Sequence, residues 1–175
     1  MMIMPKESFR DLLISIFTEA GFVSTKRCYR NNRFILAMLA GILVVWVMHV
    51  WVQPYPMNVQ FSVAQLLSLI IWQPLAEEVL FRGIIQGQFA KRDWGKRSWL
   101  GISGANVAAS VLFAAIHLIN SSPLFALSVI APSLVFGYFR DYCNSVYPSI
   151  IIHCAYNAMV FAGLILYGNM NLPSF

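Results

Sequence analysis

An all-α, polytopic bundle of transmembrane helices is the fold class this sequence predicts, and three observations carry it. Hydrophobic residues make up 59% of the 175 and charged ones only 11%, with a mean hydropathy of +0.67. A soluble domain is about 25% charged. The apolar residues fall into long runs separated by short polar connectors, with no internal repeat. All twelve basic residues except Arg82 sit at the ends of those runs, as Lys6 and Arg10, then Lys26, Arg27, Arg30 and Arg33, then Lys91, Arg92, Lys96 and Arg97, then Arg140. That placement is juxtamembrane, facing anionic lipid, so the net charge of +5 does not point to nucleic acid.

Residues 5–22 are interrupted by Lys6, Glu7, Arg10, Asp11 and Glu19, so they are no span. Phe9, Leu12, Leu13, Ile16, Phe17 and Ala20 keep the spacing of one helical face, which predicts an amphipathic helix along the cytoplasmic interface. A helix docked on a partner protein is the alternative. About five spans follow, at 34–52, 61–89, 99–119, 124–139 and 146–167. The second is longer than the hydrocarbon core and is expected to tilt, bend near Pro74 or emerge into the interface, and the fourth is short and broken by Pro132. With the N-terminus inside, 26–33, 91–98 and 140–141 fall on the cytoplasmic side. The uncharged segments 53–60, 120–123 and 168–175 fall outside, which satisfies the positive-inside rule. The expected organisation is a cytoplasmic segment 1–33 and a transmembrane domain 34–175 with a motif-bearing core at 60–170.

Within the apolar runs a small set of polar residues needs explaining, because charge at bilayer depth costs roughly 2.5–3.5 kcal/mol per group on insertion scales. Glu77, Glu78 and Arg82 lie in the second run. Glu78 and Arg82 are one helical turn apart in the favourable order for an ion pair, which leaves Glu77, about 100° around the helix, as the group with no structural excuse. Asn106, Ser110, Phe113 and His117 line one face of the third run, and Ser149, His153 and Asn157 repeat every fourth residue on the fifth. Such groups must face a protein interior or a wet cavity, and the simplest common interior is the one holding Glu77.

A carboxylate, two imidazoles and a carboxamide in an apolar cavity suit water-mediated hydrolysis. Glu77, helped by His117, would take a proton from water as it attacks a carbonyl, and His153 with Asn157 would donate to the oxyanion. No serine or cysteine stands beside a base as a covalent nucleophile. A zinc ion on His117, His153 and a Glu carboxylate is the competing chemistry, with no HExxH spacing behind it. His49 reads as a packing residue, and Gly83 with Gly87 as a place where another helix approaches closely. Cys28, Cys143 and Cys154 show neither CxxC spacing nor an even count, so neither a zinc cage nor a disulfide framework is expected.

Taken in order, Glu77-Glu78-x-x-x-Arg82, Phe113-x-x-x-His117 and His153-x-x-x-Asn157 resemble the motifs of the CAAX prenyl protease and bacteriocin-processing family, also called Abi. The resemblance covers roughly residues 60–170. It implies an intramembrane endopeptidase of the glutamic type in the prokaryotic cytoplasmic membrane, acting on a membrane-embedded or membrane-associated peptide. By motif position it makes Glu77 the general base, His117 its partner on the water, and His153 with Asn157 the oxyanion site. Glu78, Arg82 and Phe113 become supporting or substrate-orienting residues. It implies no cofactor, while older views of the family keep zinc open. The chain is shorter than the eukaryotic prenyl-protein proteases and looks more like compact prokaryotic members linked to peptide maturation, bacteriocin self-immunity or sorting signals. Two other classes use the same residues: a non-catalytic scaffold or immunity protein, and an ion translocator, which the lack of an inverted repeat disfavours.

Overall fold

A computed structural model describes residues 9–25, 28–52 and 61–168, with side chains through Trp46 in the second helix and through Ile165 in the last. Among the described residues the regular structure is helical except for one small hairpin. In order the elements are α1 (Phe9–Glu19), α2 (Asn32–Val52), α3 (Val63–Phe89), α4 (Asp93–Lys96), β1 (Ser98–Trp99), β2 (Ile102–Ser103), α5 (Gly104–His117), α6 (Pro123–Ser128), α7 (Ile130–Cys143) and α8 (Tyr147–Gly168). The connector 53–60, the tail beyond 168 and the side chain of His49 lie outside the described residues.

Among the described residues three helices are long and apolar enough to cross a membrane: Val63–Phe89, Pro123–Cys143 and Tyr147–Ile165. Asn32–Trp46 and Gly104–His117 are apolar but shorter. The span expected at 99–119 is the one most changed. Its first residues form the β1–β2 hairpin, where Leu100 (φ 51°) and Gly101 (φ 82°) both take the left-handed conformation that a two-residue hairpin turn demands. Ser103 then caps α5, its Oγ accepting from the Asn106 N–H at 2.9 Å. The fourth run also differs in detail. The helix breaks at Val129, not at Pro132, because Pro132 falls in the first turn of α7, where a missing N–H goes unnoticed. Asn144 ends α7 in the left-handed conformation.

The chain divides into two compact units. One comprises residues 1–25 and 78–149. Phe81, Phe113, Phe136 and Phe139 form its apolar core, and Glu78, Arg82, Gln86, Asn106, Ser110 and Ser133 are almost completely buried among them. In a chain with an apolar exterior, polarity belongs inside, provided that each group finds a partner. Asn106 donates to the Leu134 oxygen (3.0 Å) and accepts from Ser110 (3.1 Å). Gln86 donates to the Gly137 oxygen (2.9 Å) and to Asp141 (2.7 Å), which also accepts from Ser103 (2.6 Å). Gly137 has to be glycine, since a Cβ there would collide with the Asn106 side-chain oxygen.

The N-terminal residues are strapped to this unit. Ser145 Oγ donates to the Val23 oxygen (2.6 Å) and the Val146 N–H to the Gly21 oxygen (2.9 Å). Gly83 and Gly87 do mark a close approach, and the visitor is the end of α1: a Cβ on Gly83 would stand 3.0 Å from the Ala20 oxygen. Arg140, expected to flank an apolar run and face anionic lipid, is instead buried. Its guanidinium donates to the Arg82 oxygen (3.2 Å) and the Glu19 oxygen (3.5 Å), so it ties α1, α3 and α7 together. The α1 stripe itself is exposed: Phe9, Leu12, Leu13, Ile16 and Phe17 pack against nothing in the described residues that buries them.

The second unit comprises residues 26–77 and 150–175, and so takes the first half of α3 and most of α8. Tyr156 donates to the Ala37 oxygen (2.7 Å) and its ring lies against Gly41, while Phe61 meets Phe161 edge-on at 5.4 Å. Cys28 and Cys143 are disulfide-bonded, whereas Cys154 takes part in no disulfide.

Candidate active site

Helix α3 is not a uniform α-helix. It widens into π-helical turns at Ser68–Trp72 and Val79–Gln86, on either side of the α-helical Gln73–Glu78. Pro74 explains the first. The Gln73 N–H donates to the Ser68 oxygen five residues back. The next donor in that register would be Pro74, which has no N–H, so the Leu69 oxygen is left without a helical partner. Asn157 of α8 fills the gap, its Nδ2 donating to that oxygen at 2.9 Å. An unsatisfied carbonyl costs several kcal/mol in hydrocarbon, so the proline and the asparagine explain one another.

One turn beyond Gln73 stands Glu77, its side chain one-fifth exposed. Its Oε2 lies 3.7 Å from Nε2 of His153, one turn before Asn157 on α8. Its Oε1 accepts a hydrogen bond from Gln73 Nε2 at 2.9 Å. Within this unit, therefore, the carboxylate is held between an amide and an imidazole. Asn157, which the resemblance makes an oxyanion donor, has one amide N–H committed to the Leu69 backbone.

The other unit assembles the remaining motif residues. Glu78 and Arg82 are fully buried and paired, Nε to Oε2, at 3.1 Å. Arg82 Nη2 donates to Ser133 Oγ at 2.7 Å, and the guanidinium lies over the rings of Phe113 (5.6 Å) and Phe136 (6.0 Å). Those contacts suit a delocalised cation that must be kept out of water. Phe113 also meets Phe81 edge-on at 5.0 Å. His117 sits one turn beyond Phe113, with Nδ1 2.8 Å from the Phe113 oxygen and its ring centroid 4.5 Å from the phenyl. A hydrogen bond to a carbonyl requires the proton on Nδ1, which leaves Nε2 as the acceptor.

Reasoning from the sequence missed Gln73, Ser133 and the Leu69 carbonyl. Gln73 carried a usable signal, an amide four residues before a carboxylate on a helix. Ser133 carried none, since it is far from Arg82 in the chain. Among the described residues no three His, Cys, Asp or Glu side chains gather closely enough to hold a metal ion.

No curated protein and no solved structure gives a significant match to the chain. A family model does: that of the Rce1-like proteins, the type II CAAX prenyl endopeptidases, matches residues 59–159. That span covers more than half of the chain and includes every motif residue described above. This protein belongs to the Rce1-like family of type II CAAX prenyl endopeptidases.

Proposed function

We propose that the protein is an intramembrane endopeptidase in which Glu77 activates a water molecule to hydrolyse a peptide bond near the end of a membrane-associated substrate. The observation that carries this reading is the Glu77–His153 approach of 3.7 Å inside an otherwise apolar segment. A carboxylate so placed is available to a proton but poorly served by solvent, the situation that suits a general base.

In the proposed cycle Glu77 takes one proton from water, and the hydroxide oxygen forms a bond to the scissile carbonyl carbon. His117, with Nε2 as acceptor, helps to hold that water. The oxyanion is met by His153 and by the Asn157 N–H that Leu69 does not use. The C–N bond then breaks, the proton returns from Glu77 to the leaving amine, and a carboxylate and an amine depart. Glu78 and Arg82 touch no reacting atom in this scheme. Their buried pair fixes the helix on which Glu77 rides, and all of these roles use only groups of the chain itself.

The expected substrate is a peptide or protein at the bilayer surface, with a prenylated C-terminal CAAX sequence as the class the family points to. The bilayer is the expected setting, and the exposed apolar stripe of α1 fits a helix lying in its interface. The test is a comparison by mass spectrometry of membrane peptides from cells carrying the wild-type chain or Glu77→Gln. A set of C-terminal fragments that disappears in the variant supports the reading. Identical peptide sets from cells that insert both proteins equally would remove it.

A further inference from the structure

Gln73 is the residue outside the family motifs that touches the candidate base. We infer that it is a positioning residue for Glu77. Its Nε2 donates to Oε1 at 2.9 Å while Oε2 faces His153 at 3.7 Å, so the two oxygens of one carboxylate are given different partners. A carboxylate held by one oxygen cannot rotate freely about its last torsion, and its other oxygen stays aimed at the imidazole.

The backbone supports the same assignment. Gln73 stands between the π-helical turn and Pro74, and the Leu69 carbonyl that Pro74 leaves unserved is held by Asn157. The helix that supplies His153 thus also sets the turn from which Gln73 reaches Glu77. The bland alternative is a Gln–Glu pair on a helix surface, worth about 0.2–0.5 kcal/mol in water and indifferent to chemistry. Here the carboxylate the amide holds is the one proposed to react, and its second oxygen faces His153 at 3.7 Å.

The inference rests on the proposed role of Glu77, and the test separates the two. Full-length protein in lipid vesicles is given an internally quenched peptide ending in a farnesylated CAAX sequence. Leucine matches glutamine in helix propensity and suits lipid, so Gln73→Leu keeps the helix. It is expected to lower kcat about tenfold, the size of one hydrogen bond to a charged group, with KM changed less than about twofold. On a Glu77→Gln background the same change should lower residual turnover no further. Infrared difference spectra supply a readout independent of turnover. The antisymmetric carboxylate stretch assigned to Glu77, by its loss in Glu77→Gln, should shift in Gln73→Leu.

A band that stays in place overturns the positioning role, as does an unchanged kcat in Gln73→Leu when Glu77→Gln is inactive. Glu77→Gln cutting as fast as wild type overturns the role of the base and, with it, that of Gln73. If wild type leaves this peptide intact, the substrate class is wrong and the infrared band alone decides the placement.

Discussion

Removing Arg82 should destabilise the protein far more than removing Arg82 and Glu78 together. Both side chains are completely buried, joined by one 3.1 Å contact, and Arg82 makes a second hydrogen bond of 2.7 Å to Ser133. Arg82→Met fills much of the same volume between Phe113 and Phe136 but takes the cation away from a buried carboxylate. Breaking a buried pair from one side costs about 3–5 kcal/mol. For a chain of this length each kcal/mol moves the unfolding midpoint by roughly 2–4 °C, so a drop of roughly 10 °C is expected. In Glu78→Gln/Arg82→Met no charge remains to be compensated, and most of that loss should return. Arg82→Lys should fall between, since an ammonium cannot serve Glu78 and Ser133 through one rigid fork. The assay is thermal unfolding in detergent micelles, followed by tryptophan fluorescence. A double variant less stable than Arg82→Met, or an Arg82→Met within about 2 °C of wild type, would refute the argument that the pair exists to cancel itself.

Three further outcomes follow from the same geometry. Gly137→Ala should lower stability by about 1–3 kcal/mol, measured by the same unfolding assay, because the new methyl meets the Asn106 side chain and stands 2.8 Å from Gln86 Oε1. Asn157→Leu should cost about 1–2 kcal/mol through the orphaned Leu69 carbonyl, and Asn157→Asp no less, since a carboxylate has no proton to donate. Replacing Pro74 by Ala in the Asn157→Leu background should recover part of that loss, because the helix regains a donor. Arg140→Met should loosen the strap at residues 19–23, so hydrogen exchange at Val146, whose N–H donates to the Gly21 oxygen, is expected to speed up by about tenfold.

How much of this was legible in the sequence depends on how local each feature is. The Glu78–Arg82 pair was, because one helical turn separates them and the apolar setting demands compensation. The polar face of Asn106, Ser110 and Phe113 was too, since a fixed period carries it, and all three are buried. Arg140 was misread because a cation after an apolar run looks like a membrane flank. What buries it is the backbone of Glu19 and Arg82, which no spacing rule reports. An irregularity in α3 could be expected from Pro74, but its form could not: π-helical turns depend on which carbonyl finds a donor, and here that donor comes from α8. The hairpin before α5 was hidden because Ser98–Ser103 continues the apolar composition of the run behind it, and only the positive φ values of Leu100 and Gly101 set it apart. Ser133 and the disulfide cysteines are long-range features with no local signature.

The central claim is that Glu77 as base and His153 as oxyanion donor act on one scissile bond as a single unit, and turnover of the purified, reconstituted protein tests it most directly. Initial rates on a prenylated CAAX peptide would be compared for wild type, Glu77→Gln, His153→Ala and the double variant. Groups that work together give grossly non-additive losses. Each single change is expected to cut the rate by about a thousandfold or more, and the double variant to be no slower than the worse single one. Glu77→Gln within about tenfold of wild type, or losses that simply multiply, would contradict the account.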